Sequence, residues 1–117
     1  MEEKLPRKIK KPWGFELIVA HTPAYAGKLL FVKKGHRLSL QYHKKKDESF
    51  YIHKGEAFIE IDYGIGQQIQ IIGKPGDCFH IPPLTRHRLE AVEDTTLFEV
   101  STPELEDIER LEDDYGR

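Results

Sequence analysis

The segment from Leu38 to His43 carries polar side chains at every second position, the spacing that brings them to one face of a β-strand. Ser39, Gln41 and His43 would share that face, and the intervening apolar residues would share the other. If this face points toward the inside of a barrel, the hydroxyl, amide and imidazole groups could bind a polar ligand or a metal ion. On the outside of a sandwich, the same face would simply be solvated. Alternation alone leaves both interpretations open.

The elements that must position this strand follow from the rest of the chain. Short runs rich in Val, Ile, Leu, Phe and Tyr recur about every ten residues, with Gly or Pro between them. We predict about nine strands, over residues 15–20, 27–33, 37–43, 48–53, 57–62, 67–72, 77–81, 87–92 and 96–101. Because crossover helices are lacking from the pattern, it predicts an antiparallel sandwich or small barrel.

Three turns and one helix complete the predicted secondary structure. Lys54-Gly55 has the form of a two-residue hairpin turn with a positive φ at the glycine, and residues 63–66 form a looser hairpin. Residues 74–77 fit a type II turn. The segment 104–111 follows Thr102-Pro103 and has acidic residues in its first turn, which predicts a short C-terminal helix.

Length and composition exclude several classes of protein. At 117 residues the chain is expected to form one domain. Cys78 is the single cysteine, which excludes an internal disulfide and Cys-rich zinc modules. The longest apolar runs have four residues, whereas a membrane helix needs about 20. With no apolar stretch after the charged N-terminus, we expect no secretory signal, no membrane interaction and a cytoplasmic location.

Charge is distributed unevenly along the chain. The net charge of −2 provides no overall attraction to nucleic acid. The basic N-terminal arm (residues 1–13) and the acidic C-terminal tail (residues 104–117) are complementary, and either pair with each other or with a neighbouring subunit. We therefore predict a homodimer. The five cations of residues 1–11 lack a recognition motif or interleaved aromatic residues, so we expect no nucleic-acid partner.

Two spaced motifs resemble those of the cupin superfamily. The first is Gly35-x5-Gln41-x-His43-x4-Glu48-x6-Gly55, with Gln41 at the place of the usual first histidine. The second is Gly76-x5-Pro82-x4-His87. The resemblance implies an all-β fold, a jelly-roll antiparallel barrel with a short C-terminal helical tail, in one domain over residues 1–117.

The same resemblance implies that Gln41, His43, Glu48 and His87 bind one divalent transition metal. We expect Glu48 to approach from the start of the strand next to Gln41 and His43, and His87 to approach from the opposite side. Two imidazoles, a carboxylate and an amide oxygen suit Zn²⁺ first, with Mn²⁺, Fe²⁺, Co²⁺ or Ni²⁺ as alternatives. Such a set leaves coordination positions open for a substrate.

A closer resemblance is to type II mannose-6-phosphate isomerases. It is carried by Lys11-Pro12-Trp13-Gly14, by the segment 38–43, and by the closing Asp113-Asp114-Tyr115-Gly116-Arg117. This resemblance implies zinc and an aldose–ketose isomerisation of mannose 6-phosphate and fructose 6-phosphate. The reaction moves a proton between C1 and C2 through an enediol.

Such a reaction requires a base and cations for the phosphate. His80 and Glu90 are the candidates for the base, and each is otherwise a solvated or hydrogen-bonded side chain. The phosphate candidates flank the metal-ligand positions, or end the chain in the case of Arg117, which would fold over the barrel mouth: Lys44, Lys45, Lys46, Arg86, Arg88 and Arg117. The three lysines would otherwise form a solvated loop beside Asp47.

The chain departs from the isomerase pattern beside Glu48. Where the family tends to have His-His-Arg-x-Glu-His-Trp, the sequence reads Lys44-Lys45-Lys46-Asp47-Glu48-Ser49-Phe50. The metal carboxylate is retained, whereas Lys46 replaces an arginine and loses its planar fork. The alternatives to a sugar-phosphate isomerase are therefore a non-catalytic carbohydrate-binding cupin and a metal-dependent dioxygenase.

Overall fold

Residues 4–116, which the computed structural model describes, form two antiparallel β-sheets packed face to face. The strands are β1 Arg7–Lys11, β2 Gly14–His21, β3 Ala26–Val32, β4 Leu40–Tyr42, β5 Glu48–Lys54, β6 Ala57–Asp62, β7 Gln68–Gly73, β8 Cys78–Ile81, β9 Arg86–Ala91, β10 Thr95–Ser101 and β11 Glu109–Glu112. One sheet has the order β1-β2-β3-β10-β5-β8, and the other β11-β4-β9-β6-β7. The predicted all-β jelly roll is confirmed.

The core lies between the sheets and is formed by the residues at every second position of the strands, whose side chains point inward. In β6, Ala57, Ile59 and Ile61 are buried while the residues between them are half-exposed. Ile52 of β5 meets them from the opposite sheet within the same core. Burying each of the isoleucine side chains contributes about 1.5–3 kcal/mol before the entropy of ordering it is subtracted.

The C-terminal segment differs from its prediction. The helix expected over residues 104–111 is wrong, because residues 109–112 instead form β11, which pairs with β4. A turn precedes it, in which the Asp107 amide donates to the Glu104 carbonyl at 3.3 Å. No helix occurs between residues 4 and 116, and so none that could cross a membrane. The basic arm also contains an unpredicted strand, β1, which pairs with β2.

The predicted turns have two outcomes. Residues 63–66 connect β6 to its partner β7, and the Asp77 amide donates to the Lys74 carbonyl at 3.0 Å, as expected. Gly55 has the predicted positive φ of 96°. The hairpin at this position is nevertheless wrong, because β5 and β6 belong to different sheets and Gly55 lies in the crossover between them.

The Lys11-Pro12-Trp13-Gly14 motif forms the tight connection between β1 and β2. Trp13 is almost fully buried, and its carbonyl accepts a hydrogen bond from the Lys33 amide at 2.9 Å. A Cβ atom at Gly14 would overlap the Phe31 carbonyl oxygen on β3. Glycine is therefore required at this position for β2 to approach β3 closely.

Candidate metal centre

A cavity of about 720 Å³ opens between the two sheets. Its floor is formed by core side chains that include Trp13, Leu30 and Leu97. Polar side chains from both sheets line the remainder, among them Gln41, His43, Glu48 and His87. This volume is typical of small-molecule sites. The face formed by Ser39, Gln41 and His43 thus lines the interior, which resolves the alternatives that alternation left open.

Three buried side chains converge at one point in this cavity. His43 follows β4, Glu48 begins β5, and His87 lies on β9. Glu48 Oε1 is 3.3 Å from His43 Nε2 and 3.2 Å from His87 Nε2. Ligand atoms bound about 2.1 Å from a divalent metal lie about 3.0–3.4 Å from adjacent ligand atoms in octahedral and tetrahedral shells. The spacing of the three atoms fits a metal ion among them.

The opposite nitrogen of each imidazole is directed at a carbonyl oxygen. His43 Nδ1 is 2.5 Å from the Asp107 carbonyl oxygen, and His87 Nδ1 is 2.9 Å from the Thr85 carbonyl oxygen. A carbonyl can only accept, so a neutral imidazole must carry its proton on Nδ1 and present the Nε2 lone pair to Glu48. A lone pair facing a carboxylate is unfavourable unless a cation lies between them. The donor set thus fits a metal ion, with both histidines oriented by backbone carbonyls.

Gln41 and Glu48 differ in how they reach this point. Gln41 is the Cα partner of His87 in the β4–β9 pair, and it lines the cavity beside the histidines. Glu48 was expected from the strand next to Gln41, with His87 opposite. The structure has the reverse arrangement: β4 and β9 are neighbours in one sheet, and Glu48 comes from the other. The jelly-roll crossover between residues 43 and 48 causes this difference.

A row of buried charges of alternating sign extends from Glu48 across the inner face of its sheet. Lys46 Nζ is 2.8 Å from Glu48 Oε2 and 3.3 Å from Glu99 Oε2. Lys28 Nζ is 3.5 Å from Glu99 and 3.2 Å from Glu16. Three carboxylates face two ammonium groups, which leaves one excess negative charge. A cation beside Glu48 would compensate this charge.

The pKa values of the row follow from its burial and charge order. Burial alone would raise the pKa of Glu48. In the absence of a metal, hydrogen bonds donated by His43 and His87, together with the charge of Lys46, hold this pKa well below its ordinary value. Burial lowers the pKa of Lys46, but the charges of Glu99 and Glu48 outweigh this effect and raise it. Burial and the charge of Glu48 raise the pKa of Glu99. Lys46 is therefore the lysine counter-charge of Glu48, and it acts together with the two histidines in keeping Glu48 ionised.

Lys46→Met should destabilise the metal-free protein by about 3–5 kcal/mol, because it leaves the buried Glu48 without its lysine and leaves Glu99 with Lys28 alone. Urea unfolding followed by circular dichroism measures the change. Adding Zn²⁺ should recover part of the loss, since the metal replaces the missing positive charge at Glu48. Lys46→Met/Glu99→Gln, which also removes one carboxylate charge, should be more stable than Lys46→Met alone. Wild-type stability in Lys46→Met would contradict the role assigned to Lys46.

The loop before Glu48 is fixed by Asp107. Its carboxylate accepts hydrogen bonds from the amides of Lys44, Lys45 and Lys46 at 2.7–3.0 Å. Burial opposes ionisation, but these three bonds lower the pKa of Asp107 to about 2. Lys44 pairs with Glu109 on the surface at 3.2 Å, and Lys45 is exposed. Of the three predicted phosphate ligands in this loop, the structure brings only Lys46 to the cavity.

The predicted site residues of β9 divide by alternation. His87 and Leu89 line the cavity, whereas Arg86, Arg88 and Glu90 occupy the alternate positions and do not. Arg88 instead donates to the Leu38 carbonyl at 3.0 Å and contacts Glu112 at 3.2 Å, which ties β11 to the body. Arg86 is exposed, and the backbone of Glu90 pairs with that of Arg37 in an isolated antiparallel β-bridge. These three residues therefore lie outside the candidate site.

His80 lies on β8, an edge strand of the sheet that also contains Glu48. His80 alternates with Phe79 and Ile81 of β8, which face the hydrophobic core, and its side chain is 60% exposed and 2.7 Å from Asp47. It lies on the outer face of the sheet rather than in the cavity, so the structure does not bring it to the candidate metal ligands. Arg117 lies outside the described residues.

Three polar groups that line the cavity were not among the catalytic, phosphate-binding or metal-binding residues predicted from the sequence. Trp13 Nε1, Ser39 Oγ and Glu104 Oε2 are buried and have no hydrogen-bond partner in the described part of the chain. Buried polar groups without a hydrogen-bond partner are rare in folded proteins and require an explanation. One explanation is a polar ligand that binds in the cavity. The alternation of residues 38–43 had indicated Ser39. Trp13 belongs to the quoted N-terminal motif, whereas nothing in the local sequence indicates Glu104.

Two sheets enclosing a His–Glu–His cluster make the chain a cupin. The fold matches oxalate decarboxylase from Bacillus subtilis with a TM-score of 0.81, at 19% identity over 92% of this chain and 30% of that one. CapF, a capsular polysaccharide assembling protein from Staphylococcus aureus, matches with a TM-score of 0.77, at 18% identity over 91% and 31%. KdgF from Halomonas sp. matches with a TM-score of 0.68, at 24% identity over 83% and 86%.

Sequence comparison identifies the family. Residues 1–113 match the family described as Mannose-6-phosphate isomerase C-terminal, and the chain belongs to it. Mannose-1-phosphate guanylyltransferase of Escherichia coli K12 is 31% identical over 99% of this chain, and the Salmonella typhimurium LT2 enzyme is 30% identical over 99%. The chain spans 24% of the length of each relative. It is therefore a cupin of a sugar-metabolism family.

Proposed function

We propose that the chain is a metal-dependent aldose–ketose isomerase that interconverts mannose 6-phosphate and fructose 6-phosphate. The convergence of His43, Glu48 and His87 inside a cavity large enough for a hexose phosphate carries this proposal. Membership of a family described by mannose-6-phosphate isomerase supports the choice of substrate. The guanylyltransferase activity of the longer relatives is not part of the proposal, because this chain spans only 24% of them.

His43, Glu48, His87 and Gln41 would hold the metal, which is expected to be Zn²⁺, with Mn²⁺, Fe²⁺, Co²⁺ and Ni²⁺ as alternatives. When bound, a divalent metal supplies Lewis-acid polarisation of a sugar carbonyl oxygen. The protein keeps both imidazoles in the required tautomer through the Asp107 and Thr85 carbonyls. Lys46 contributes to keeping Glu48 ionised, and apolar side chains form the floor beside the site.

The unpartnered polar groups of the cavity suit a polyhydroxylated substrate. Trp13 Nε1 can only donate a hydrogen bond, Ser39 Oγ can donate or accept, and a carboxylate oxygen of Glu104 accepts. Sugar hydroxyls satisfy all three requirements. A protein that leaves these groups unpaired bears a desolvation cost of about 1–3 kcal/mol for each, which a bound sugar would recover.

We assign the proton transfer to Glu104, because the other buried carboxylates of the cavity are already engaged. Glu48 is a candidate metal ligand, and Glu16 and Glu99 pair with lysines. Asp107 accepts three backbone amides. Glu104 lines the cavity with Oε2 buried and unpartnered within residues 4–116. Its carboxylate can take a proton from one sugar carbon and return it to the next.

The test is a coupled assay that detects fructose 6-phosphate formed from mannose 6-phosphate by the metal-loaded protein. We expect turnover with Zn²⁺ or another divalent transition metal, and none after treatment with a chelator. Sugar binding without turnover at every metal would instead identify a carbohydrate-binding cupin. Oxygen uptake with Fe²⁺ would identify a dioxygenase, and either result would overturn the isomerase proposal.

A further inference from the structure

We propose that Arg110, together with Arg7 and Lys11, forms a phosphate-binding subsite at the mouth of the cavity. The inference rests on the proposed function, because it assigns the charged end of the same substrate. All three residues line the cavity. They come from β1 and β11, each an edge strand of its own sheet, and neither strand was predicted from the sequence.

The strand register places Arg110 at a suitable distance from the candidate metal ligands. Arg110 is the Cα partner of Gln41 in the β11–β4 pair, and Gln41 is the partner of His87 in the β4–β9 pair. Two strand spacings thus separate the backbones of Arg110 and His87, about 10 Å. This span is comparable with the length of a hexose chain. A sugar whose reacting carbons lie at the histidines would have its 6-phosphate near Arg110.

Alternation on β1 directs two further cations to the same opening. Arg7, Ile9 and Lys11 line the cavity, whereas Lys8 lies over the outward-facing Phe15 ring at 4.3 Å from its centroid. The strands β1 and β11 are the terminal members of their respective sheets. Because both contribute to the wall of one cavity, positive charge is supplied to its mouth from two sides.

Arg110 differs in its ion pairs from the two buried lysines that line the cavity. Lys28 and Lys46 also line the cavity, but buried carboxylates compensate both of them. Arg110 forms no ion pair with another residue in the range 4–116. Its planar guanidinium can donate two parallel hydrogen bonds to phosphate oxygens, which the point charge of a lysine cannot do.

The experiment compares phosphorylated and unphosphorylated ligands by calorimetry on the zinc-loaded protein. Arg110→Gln should weaken fructose 6-phosphate binding about 10- to 100-fold and leave the binding of fructose and the zinc content unchanged. Inorganic phosphate, used as a second probe, should compete with fructose 6-phosphate in the wild type and bind more weakly to Arg110→Gln. Lys11→Gln should weaken fructose 6-phosphate binding less, because lysine is a point charge, and Lys10→Gln is its adjacent control outside the cavity.

The outcomes separate this inference from the isomerase proposal. Loss of phosphate binding in Arg110→Gln supports the subsite even if no sugar phosphate is turned over. Conversely, wild-type turnover with an unchanged affinity for fructose 6-phosphate in Arg110→Gln overturns the subsite and leaves the isomerase standing. A weakening in Arg86→Gln in place of Arg110→Gln would also overturn it, because Arg86 lies outside the cavity.

Discussion

Replacing His87 by alanine should abolish metal retention and isomerase activity together. His87 supplies one of the three converging ligand atoms, and its Nδ1 is already committed to the Thr85 carbonyl. Loss of an outer-shell partner typically weakens metal binding about 10- to 100-fold, and loss of a ligand should exceed that range. Elemental analysis of protein purified without chelator, and competition with a chromophoric chelator, measure the two quantities.

The matched control for this variant is His53→Ala. His53 is exposed on the outer face of β5, where its ring lies 5.4 Å from that of Phe98. The substitution therefore removes an imidazole that is remote from the cavity. We expect it to retain full metal content and activity. Equal losses in both variants would mean that the histidines act through general stability. Full metal content in His87→Ala would refute the ligand set.

The fold was accessible from the sequence because most strands combine β-branched or aromatic residues with glycine and proline boundaries. Two of the four edge strands, β1 and β11, were not, for physical reasons. β1 has the sequence RKIKK and β11 has ERLE, so neither shows an apolar run. Each is defined by its pairing with β2 or β4, a tertiary interaction that local propensity does not contain.

Residues 104–111 show the same competition between local and tertiary preferences. Acids after Thr102-Pro103 favour a helix when only the local chain is considered. In the structure, the carboxylate of Asp107 instead accepts three amides of the loop 44–46, and its carbonyl faces His43. Four polar interactions with a loop about sixty positions away outweigh the modest intrinsic preference of one helical turn.

Part of the candidate site could have been predicted more sharply from alternation alone. Taking His87 as inward-facing places Arg86, Arg88 and Glu90 on the opposite side of the strand. By the same alternation, His80 lies on the opposite face of β8 from its neighbours Phe79 and Ile81. The charge row was less accessible, because Glu99 is the single charged residue of its strand, whose other residues are Thr, Leu, Phe, Val and Ser. Only the pairing of β10 between β3 and β5 brings Glu99 beside Lys28 and Lys46.

Glu104→Gln should reduce kcat about 10²- to 10⁴-fold, the usual contribution of a positioned general base. Glutamine preserves the size and hydrogen-bonding capacity of the side chain but cannot take a proton. The Michaelis constant and the zinc content should therefore stay close to those of the wild type. Exchange of the sugar C2 proton with deuterated solvent, followed by NMR, provides an independent readout, and it should be slowed to the same extent as turnover.

Glu106→Gln is the appropriate comparison, because Glu106 lines the same cavity two positions along the chain but is exposed. An exposed carboxylate at the mouth is hydrated and would have to cross the cavity to reach the sugar carbons. It should therefore retain turnover and proton exchange. If both variants lose activity equally, the segment as a whole positions the substrate and Glu104 is not its base. If Glu104→Gln loses only affinity for the sugar, its carboxylate binds a hydroxyl instead of moving a proton.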